Sequence, residues 1–342
     1  MHMADALVSP QIGAAMYTVS AAAAIYSIKK VQSENDLKKV PVMGVMGAFV
    51  FAAQMINFTI PGTGSSGHLC GGMLLTALLG PYASFLTMIT ILLIQCLMFA
   101  DGGLLALGCN IWNMAFYGCF LGYFLFWKPF MQKGLSKRKI MSASVLGCIL
   151  SLQLGALSVT LETYFSGVTA LPFRAFVLTM QPIHLAIGFI EGLITSAVLL
   201  FIYENRPELL TFGNSSEIQN RLSRKKILTV LGICTVLIGG CLSLIASQYP
   251  DGLEWSIECL TGSEEITAEN SAYETAAKVQ EKTALFPDYA FSHSDQAIGT
   301  SFSGILGSAI VVFVCIGGCY LFRFFHSRFR EDQTHRRDRD HE

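Results

Sequence analysis

The second residue of the chain is a histidine, and that position gives it coordination options that no internal histidine has. The free amine of Met1, the amide nitrogen of His2 and the Nδ1 of the His2 imidazole can bind one metal together. They close one five-membered and one six-membered chelate ring. Deprotonating an amide requires a metal that favours planar nitrogen donors, and tetragonal nitrogen sites point to Ni(II) or Cu(II). Calcium and magnesium prefer oxygen, and zinc prefers a tetrahedral set. The bulky His2 is also expected to protect Met1 from methionine aminopeptidase, which prefers small second residues, so the amine is expected to stay at position 1. A second imidazole, His68, stands in a Gly-rich stretch, GTGSSGHLCGG. A tridentate N-terminus plus one imidazole makes four nitrogens, so Met1, His2 and His68 form a candidate metal site. The plainer alternative is that His68 caps or hydrogen-bonds its own loop. Gly62, Gly64, Gly67, Gly71 and Gly72 would let the chain bend closely around an ion, or make the loop merely flexible.

Other polar residues sit within apolar surroundings. His184 and Glu191 lie seven apart and so share a helical face, with a GxxxG pair, Gly188 and Gly192, on nearly that face. An ionisable residue within a membrane is costly and is a functional candidate; an interhelical hydrogen bond that fixes packing is the bland reading. Asn110 and Asn113 flank Trp112 in GGLLALGCNIWNMAF. They could supply outer hydrogen bonds to a metal-bound histidine, or only contacts between helices. Asp101 is placed to cap the helix that follows it. Neither the phosphate-cradling G-x-x-x-x-G-K-[ST] nor H-E-x-x-H occurs, so no bound nucleotide and no metalloprotease chemistry is expected. The ten Cys include no C-x-x-C pair. All but Cys259 lie in or beside apolar runs and read as small packing residues.

The elements that must position these groups are membrane helices. Hydrophobic residues make up 52% of 342 and charged residues 14%, against about a quarter charged in soluble domains. The mean hydropathy is +0.51. These values argue against a soluble enzyme and a basic nucleic-acid binder. Apolar runs occur near 11–28, 41–58, 69–79, 82–99, 104–127, 140–160, 178–203, 227–247 and 303–325. Lipid offers the backbone no hydrogen bonds, so the runs should be helices. The third is too short to cross as a regular helix, and such Gly/Pro-interrupted segments often mark binding sites. With the N-terminus outside and the runs alternating, 20 of the 23 Lys and Arg fall in 29–40, 128–139, 204–226 and the tail. Only Arg174, Lys278 and Lys282 fall on the other side. That bias predicts nine transmembrane helices, N-terminus outside and C-terminus cytoplasmic. The N-terminus lacks a positive n-region and is not expected to be a cleaved signal. Ala14, Thr18 and Ala22 form a small-residue face on the first helix, suited to close contact within the chain or with a partner membrane protein.

Two parts are expected: a seven-helix unit over 1–203 and, after a polar cytoplasmic linker at 204–226, a two-helix unit over 227–325. The second encloses an acidic outer segment, 248–302. The charged tail, 326–342, reads as disordered.

The chain resembles the CbiM/NikM family, the substrate-capture membrane subunits of nickel and cobalt energy-coupling-factor ABC transporters. The resemblance rests on MHMADALVSP, FAAQMINFTIPGTGSSGHLCGG, FADGGLLALGCNIWNMAF and HLAIGFIEGLITSAV, which run through most of 1–203. The second part resembles the PDGLE domain of NikN-like accessory subunits, through PDGLEWS at 250–256, PDYAF at 287–291 and GTSFSGILGSAIVVF. The opening departs from the commoner MHIPDG in having Met3 and Ala4 but keeps the histidine at position 2. The resemblance implies an all-α integral membrane protein of the bacterial or archaeal cell membrane, Ni(II) or Co(II) as cargo bound by the Met1 amine, His2 and His68, and partners outside this chain: a membrane coupling subunit and cytosolic ATPase subunits. Nucleic acid is not an expected partner. Cobalt uptake for cobalamin synthesis by the same architecture is the alternative. A secondary metal carrier would need a line of intramembrane carboxylates, of which only Glu191 lies clearly inside a run. An intramembrane enzyme would need a nucleophile–base pair that is not found.

Overall fold

In a computed structural model of the chain, residues 1–34, 36, 39–213, 222–263, 266, 271–291 and 296–339 are described, with 296–297 and 321–339 described by backbone alone. Lys38, Arg221, Glu264, Glu265, Glu269 and Asp295, which entered the charge reading above, lie outside them, as do 340–342.

Each apolar run becomes a helix. They are α1 (Pro10–Glu34), α2 (Val40–Gln54), α3 (Gly72–Leu79), α4 (Pro81–Phe99), α5 (Leu107–Asn110), α6 (Lys128–Met131), α7 (Lys137–Ser166), α8 (Phe173–Asn205), α9 (Arg224–Gly240) and α12 (Gln296–Arg339). A π-wound stretch, Ile111–Trp127, joins α5 to α6 without a break. The acidic segment supplies α10 (Gly252–Thr261) and α11 (Ser271–Thr283). Among the described residues, five helices are long and apolar enough to cross a membrane: α1, α4, α7, α8 and the Ile298–Tyr320 part of α12.

Local chemistry sets the boundaries. Ser136 and Ser223 cap α7 and α9 by accepting backbone N–H groups at Lys139 and Lys226. Pro81 opens α4 at a position that needs no N–H. The charged tail departs from its expected disorder: α12 continues as helix to Arg339. Residues 326–339 contain no Gly or Pro, and their Arg, Glu and Gln are good helix formers.

The short α3 spans about 12 Å at 1.5 Å per residue, less than half a hydrocarbon core of about 30 Å. It is preceded by β1 (Phe58–Ile60), pairing antiparallel with β2 (Ser65–Gly67), and by the Gly-rich turn after them. Such backbone survives within a membrane only when packed in protein. Accordingly Ser65 to Leu79 are all buried.

Helix α8 packs along α7 at the GxxxG face. A Cβ at Gly192 would stand 2.6 Å from the Val145 Cα, and one at Gly188 would stand 3.0 Å from the Ile149 Cα. Close backbone approach of this kind drives association where lipid removes the hydrophobic driving force. The linker is partly core: Leu209 and Leu210 are buried, and Thr211 N donates to the Ala77 carbonyl at 2.9 Å. Trp127 Nε1 donates to Thr211 Oγ1 at 2.6 Å, and Lys137 pairs with Glu204. The ends of α3, α7, α8 and the π-wound stretch therefore gather at one basic end, opposite the N-terminus.

The second part does not stand apart. Its α12 lies along α2, where Val311 and Cys315 approach Gly47, and Ile316 approaches Gly44. Its α10 lands on α8 beside the N-terminus.

Candidate metal centre

The first residues of the chain are threaded into the bundle. Met1 is 4% exposed and Met3 fully buried. Asn110 grips the Met3 backbone on both sides, accepting from Met3 N at 2.7 Å and donating to its carbonyl at 3.2 Å. Gly103 N donates to the same carbonyl at 2.8 Å, and Asp5 accepts from Ala106 N at 3.0 Å at the start of α5. This anchoring carries the Met1 amine to a buried point between His68 and Asp251. The ammonium donates to His68 Nε2 at 3.1 Å and pairs tightly with the Asp251 carboxylate. His2 stacks on His68, ring centroids 5.4 Å apart. Its Nδ1 lies 3.1 Å from Asp101 Oδ1, and its Nε2 meets Gln95 Oε1 at 3.2 Å.

Electrostatics leave His68 as a donor of electrons. Burial, then the neighbouring ammonium and His2, push its pKa down to about 3. Its Nδ1–H donates to the Leu69 carbonyl at 3.1 Å, so Nε2 presents a lone pair. Burial also pushes His2 down, against the opposing pull of Asp101. Burial would raise the Asp251 carboxyl, but the ammonium and His68 outweigh it and hold the group below the usual carboxylate range. The Asp251 charge, with burial, pushes Glu254 up to about 7.

Asp251 is the residue that sequence reasoning missed. It opens α10 in a capping box, accepting from Leu253 N and Glu254 N while Glu254 accepts from its own N–H. The D-x-x-E spacing could have revealed this helix start, although not its neighbour. The loop before it is tied to β2, as Ser66 N donates to the Pro250 carbonyl at 2.8 Å and Ser66 Oγ to the Tyr249 carbonyl at 2.7 Å.

The remaining candidates divide. Glu191 accepts from Cys70 N at 3.0 Å and Gly71 N at 2.9 Å, pinning the loop two residues past His68. His184 bonds its own helix, Nδ1 to the Met180 carbonyl at 2.8 Å, and packs against Gly252. Asn110 holds the Met3 backbone rather than a histidine. Asn113 donates to Glu162 at 2.7 Å and meets the Met3 sulfur at 3.5 Å, with no bond to either imidazole among the described residues. Glu162 is a second buried carboxylate within a helix, because α7 extends past the end of its apolar run to Ser166. Asp101 caps nothing; it faces His2 and accepts from the Tyr289 hydroxyl at 2.6 Å. Ala14, Thr18 and Ala22 are exposed, since α1 buries Gly13, Ser20 and Ser27 instead. Of the cysteines, Cys241 and Cys259 are exposed and the others at least half-buried.

Among the described residues, no three His, Cys, Asp or Glu side chains are grouped to hold an ion by themselves. Any ion taken here would need main-chain donors as well, and the buried amine is one. Above the site opens a cavity of about 1150 Å³ that reaches His2 and His68. Asp5, Asp101, Asp251, Glu254 and Asp288 line it, with no Lys or Arg among the described lining residues. Such a field concentrates cations.

Asp251→Asn should keep the helix cap, since Asn caps as well as Asp, but remove the negative charge that faces the ammonium. Acylation of the Met1 amine by a water-soluble reagent, followed by mass spectrometry, is expected to speed up about tenfold or more, because hydrogen bonds to charged groups contribute about 1.5–3 kcal/mol. Unchanged labelling would show that the ion pair does not hold the amine.

A family model described as the cobalt uptake substrate-specific transmembrane region, CbiM, matches residues 2–209, and a PDGLE domain model matches 225–324. A protein of Archaeoglobus fulgidus, provisionally named a fused nickel transport protein, NikMN, is 31% identical over 91% of this chain and 96% of its own. The fused nickel transport protein NikMN of Rhodobacter capsulatus is 27% identical over 91% of this chain and 95% of its own. A crystal structure of a truncated transition metal transporter superposes with a TM-score of 0.53 at 32% identity, covering 60% of this chain and 99% of that one.

Proposed function

The chain belongs to the CbiM family of cobalt-uptake transmembrane regions, extended by a PDGLE domain, and we propose that it is the substrate-binding membrane subunit of an energy-coupling-factor ABC importer for divalent nickel. The observation that carries this reading is the Met1 amine, buried 3.1 Å from the Nε2 of His68, a residue that lines an acidic cavity. Metal is captured there by the amine, His2 and His68. Binding requires the His2 ring to exchange Asp101 for the ion at Nδ1. The relatives that match across the fusion bear nickel-transport names. Cobalt, carried by the same donors, is the second reading, favoured by the description of the family model.

In this reading the nine apolar runs cross a bacterial or archaeal cell membrane, N-terminus outside and basic end cytoplasmic. Residues 1–203 capture the metal, 204–226 form the cytoplasmic linker, and 227–325 form the PDGLE unit, whose outer segment 248–302 covers the site. Energy comes from cytosolic ATPase subunits through a membrane coupling subunit, with the exposed Ala14, Thr18 and Ala22 face as a contact for the latter. The sequence lacks a phosphate-cradling loop of its own.

The purified chain is expected to bind Ni(II) and to show no ATPase activity, while nickel accumulation in cells requires coexpressed coupling and ATPase subunits. ATP hydrolysis by the contaminant-free protein would refute this division of labour.

A further inference from the structure

The two carboxylate oxygens of Asp251 have different tasks. Oδ1 caps α10, accepting from Leu253 N at 2.7 Å and Glu254 N at 3.0 Å. Oδ2 is left for the site: it pairs with the Met1 ammonium and lies 3.9 Å from His68 Nε2. The amine and His68 Nε2 are themselves 3.1 Å apart. Two donors on one ion can stand no further apart than twice the bond length, about 4.2 Å for the bonds of about 2.0–2.1 Å that zinc, an ion close to nickel in size, makes to nitrogen and oxygen. All three separations fall inside that limit, so one ion can reach the amine, the imidazole and Oδ2 together. The carboxylate is also held in register with the imidazole. The backbone of Ser66 bridges to that of Asp251, and Ser66 donates to the carbonyls of Pro250 and Tyr249. His68 follows only two residues later. The capping bonds fix Asp251 from its other side.

Charge points the same way. The N-terminal chelate brings one negative charge, on the His2 amide nitrogen. A divalent ion held by four nitrogens alone would therefore leave one net positive charge in a buried place, which is costly unless it is paired. Asp251 cancels that charge, as it cancels the charge of the ammonium before loading. We propose that Asp251, supplied by the PDGLE unit, binds the captured ion through Oδ2 as a fifth ligand, outside the plane of the four nitrogens. The inference rests on the metal being taken at the amine and His68. The ion enters beside Oδ2, and the protons that it displaces from the amine and the amide leave through the cavity that Asp251 also lines. The capture site is thus built from both parts of the chain. One oxygen among its donors suits ions that accept a fifth ligand, whereas a tetragonal nitrogen set by itself suits Cu(II) equally well.

The test is nickel X-ray absorption on the full chain in lipid nanodiscs, loaded with one equivalent of Ni(II), beside titration with Ni(II). Planar four-coordinate nickel shows a resolved 1s→4p feature on its edge, and a fifth ligand outside the plane suppresses it. The wild type is expected to lack the feature. Asp251→Ser keeps a capping oxygen, since Ser caps as well as Asp, but deletes Oδ2 and its charge. This variant is expected to show the planar feature and to bind Ni(II) more weakly, by at least the roughly tenfold that loss of an outer partner of a metal ligand costs. A planar four-coordinate edge in the wild type overturns the proposal. So does an Asp251→Ser protein that melts like the wild type and binds Ni(II) as tightly. His68→Ala separates the two ideas: undiminished nickel binding there removes the reading on which the proposal rests, whereas lost binding together with a planar wild-type edge removes Asp251 alone.

Discussion

Replacing His68 with alanine is expected to lower nickel affinity by more than about a hundredfold, beyond the range that outer partners of metal ligands contribute. His68 brings a side-chain nitrogen that already faces the buried amine with a free lone pair. Its Nδ1–H is committed to Leu69, and burial beside an ammonium disfavours a further proton on the ring. The chain should still fold. The loop that carries the residue is held independently, by Glu191 at Cys70 N and Gly71 N and by Gln54 at the Cys70 carbonyl. The ammonium also keeps Asp251. His2→Ala is expected to be as severe, since it removes the imidazole of the chelate while Asn110 and Gly103 continue to hold Met3. Isothermal titration with Ni(II), alongside thermal unfolding, separates loss of the donor from loss of the fold. Wild-type affinity in either variant would remove that histidine from the site.

Much of this arrangement was legible in the sequence because lipid narrows the choices. Apolar runs had to be helices, and the run that was too short to cross had to be completed by loop. A histidine at position 2 and another in a Gly-rich turn carry a chemical meaning independent of the fold. What stayed hidden depends on tertiary packing. Asp251 lies 250 residues from the amine that it pairs with, and a capping box announces a helix start without naming its neighbour. Glu191 stood out as a buried carboxylate, yet its partners are two backbone N–H groups, which leave no mark on residue identity. Gln54 and Gln95 sit in apolar runs, where an uncharged amide is easily passed over. Their cost in such surroundings was the available signal. Asn113 and Asp101 were assigned by proximity in sequence, and packing turned each elsewhere: Asn113 toward Glu162, Asp101 toward His2. The small-residue face of α1 faces outward because neighbouring segments take its opposite side. There Ser20 donates to the Gly108 carbonyl, and Gly13 abuts the Leu105 backbone.

Inserting one residue between Met1 and His2 is the sharpest test of the amine, and transport is expected to fall to background. Met3 is fixed by Asn110 and Gly103, so the inserted residue cannot be absorbed downstream. It must displace Met1 by up to one Cα–Cα step, about 3.8 Å. An amine that is hydrogen-bonded to His68 at 3.1 Å and paired with Asp251 cannot keep either partner after such a shift. The Met1 side chain cannot move freely, because its methyl group is packed at Gly155. Donor number hardly changes, but geometry does. With histidine third, both preceding amides, the amine and Nδ1 can fill four planar positions without the loop. Some Ni(II) or Cu(II) binding should therefore survive, now indifferent to His68→Ala, while the loop loses the ion that ties it to the N-terminus. Acetylation of Met1 should instead lower affinity sharply, because it removes the amine outright. Radioactive nickel uptake in cells carrying the partner subunits, with equilibrium dialysis of the purified protein, reads both effects. If the extended or blocked chain imports nickel as well as the native one, the amine is not a ligand. The site would then be a His2–His68 pair completed by water or by carboxylates such as Asp5 and Asp251. The planar-nitrogen argument for a nickel-like ion would fall with it, since oxygen donors favour different metals.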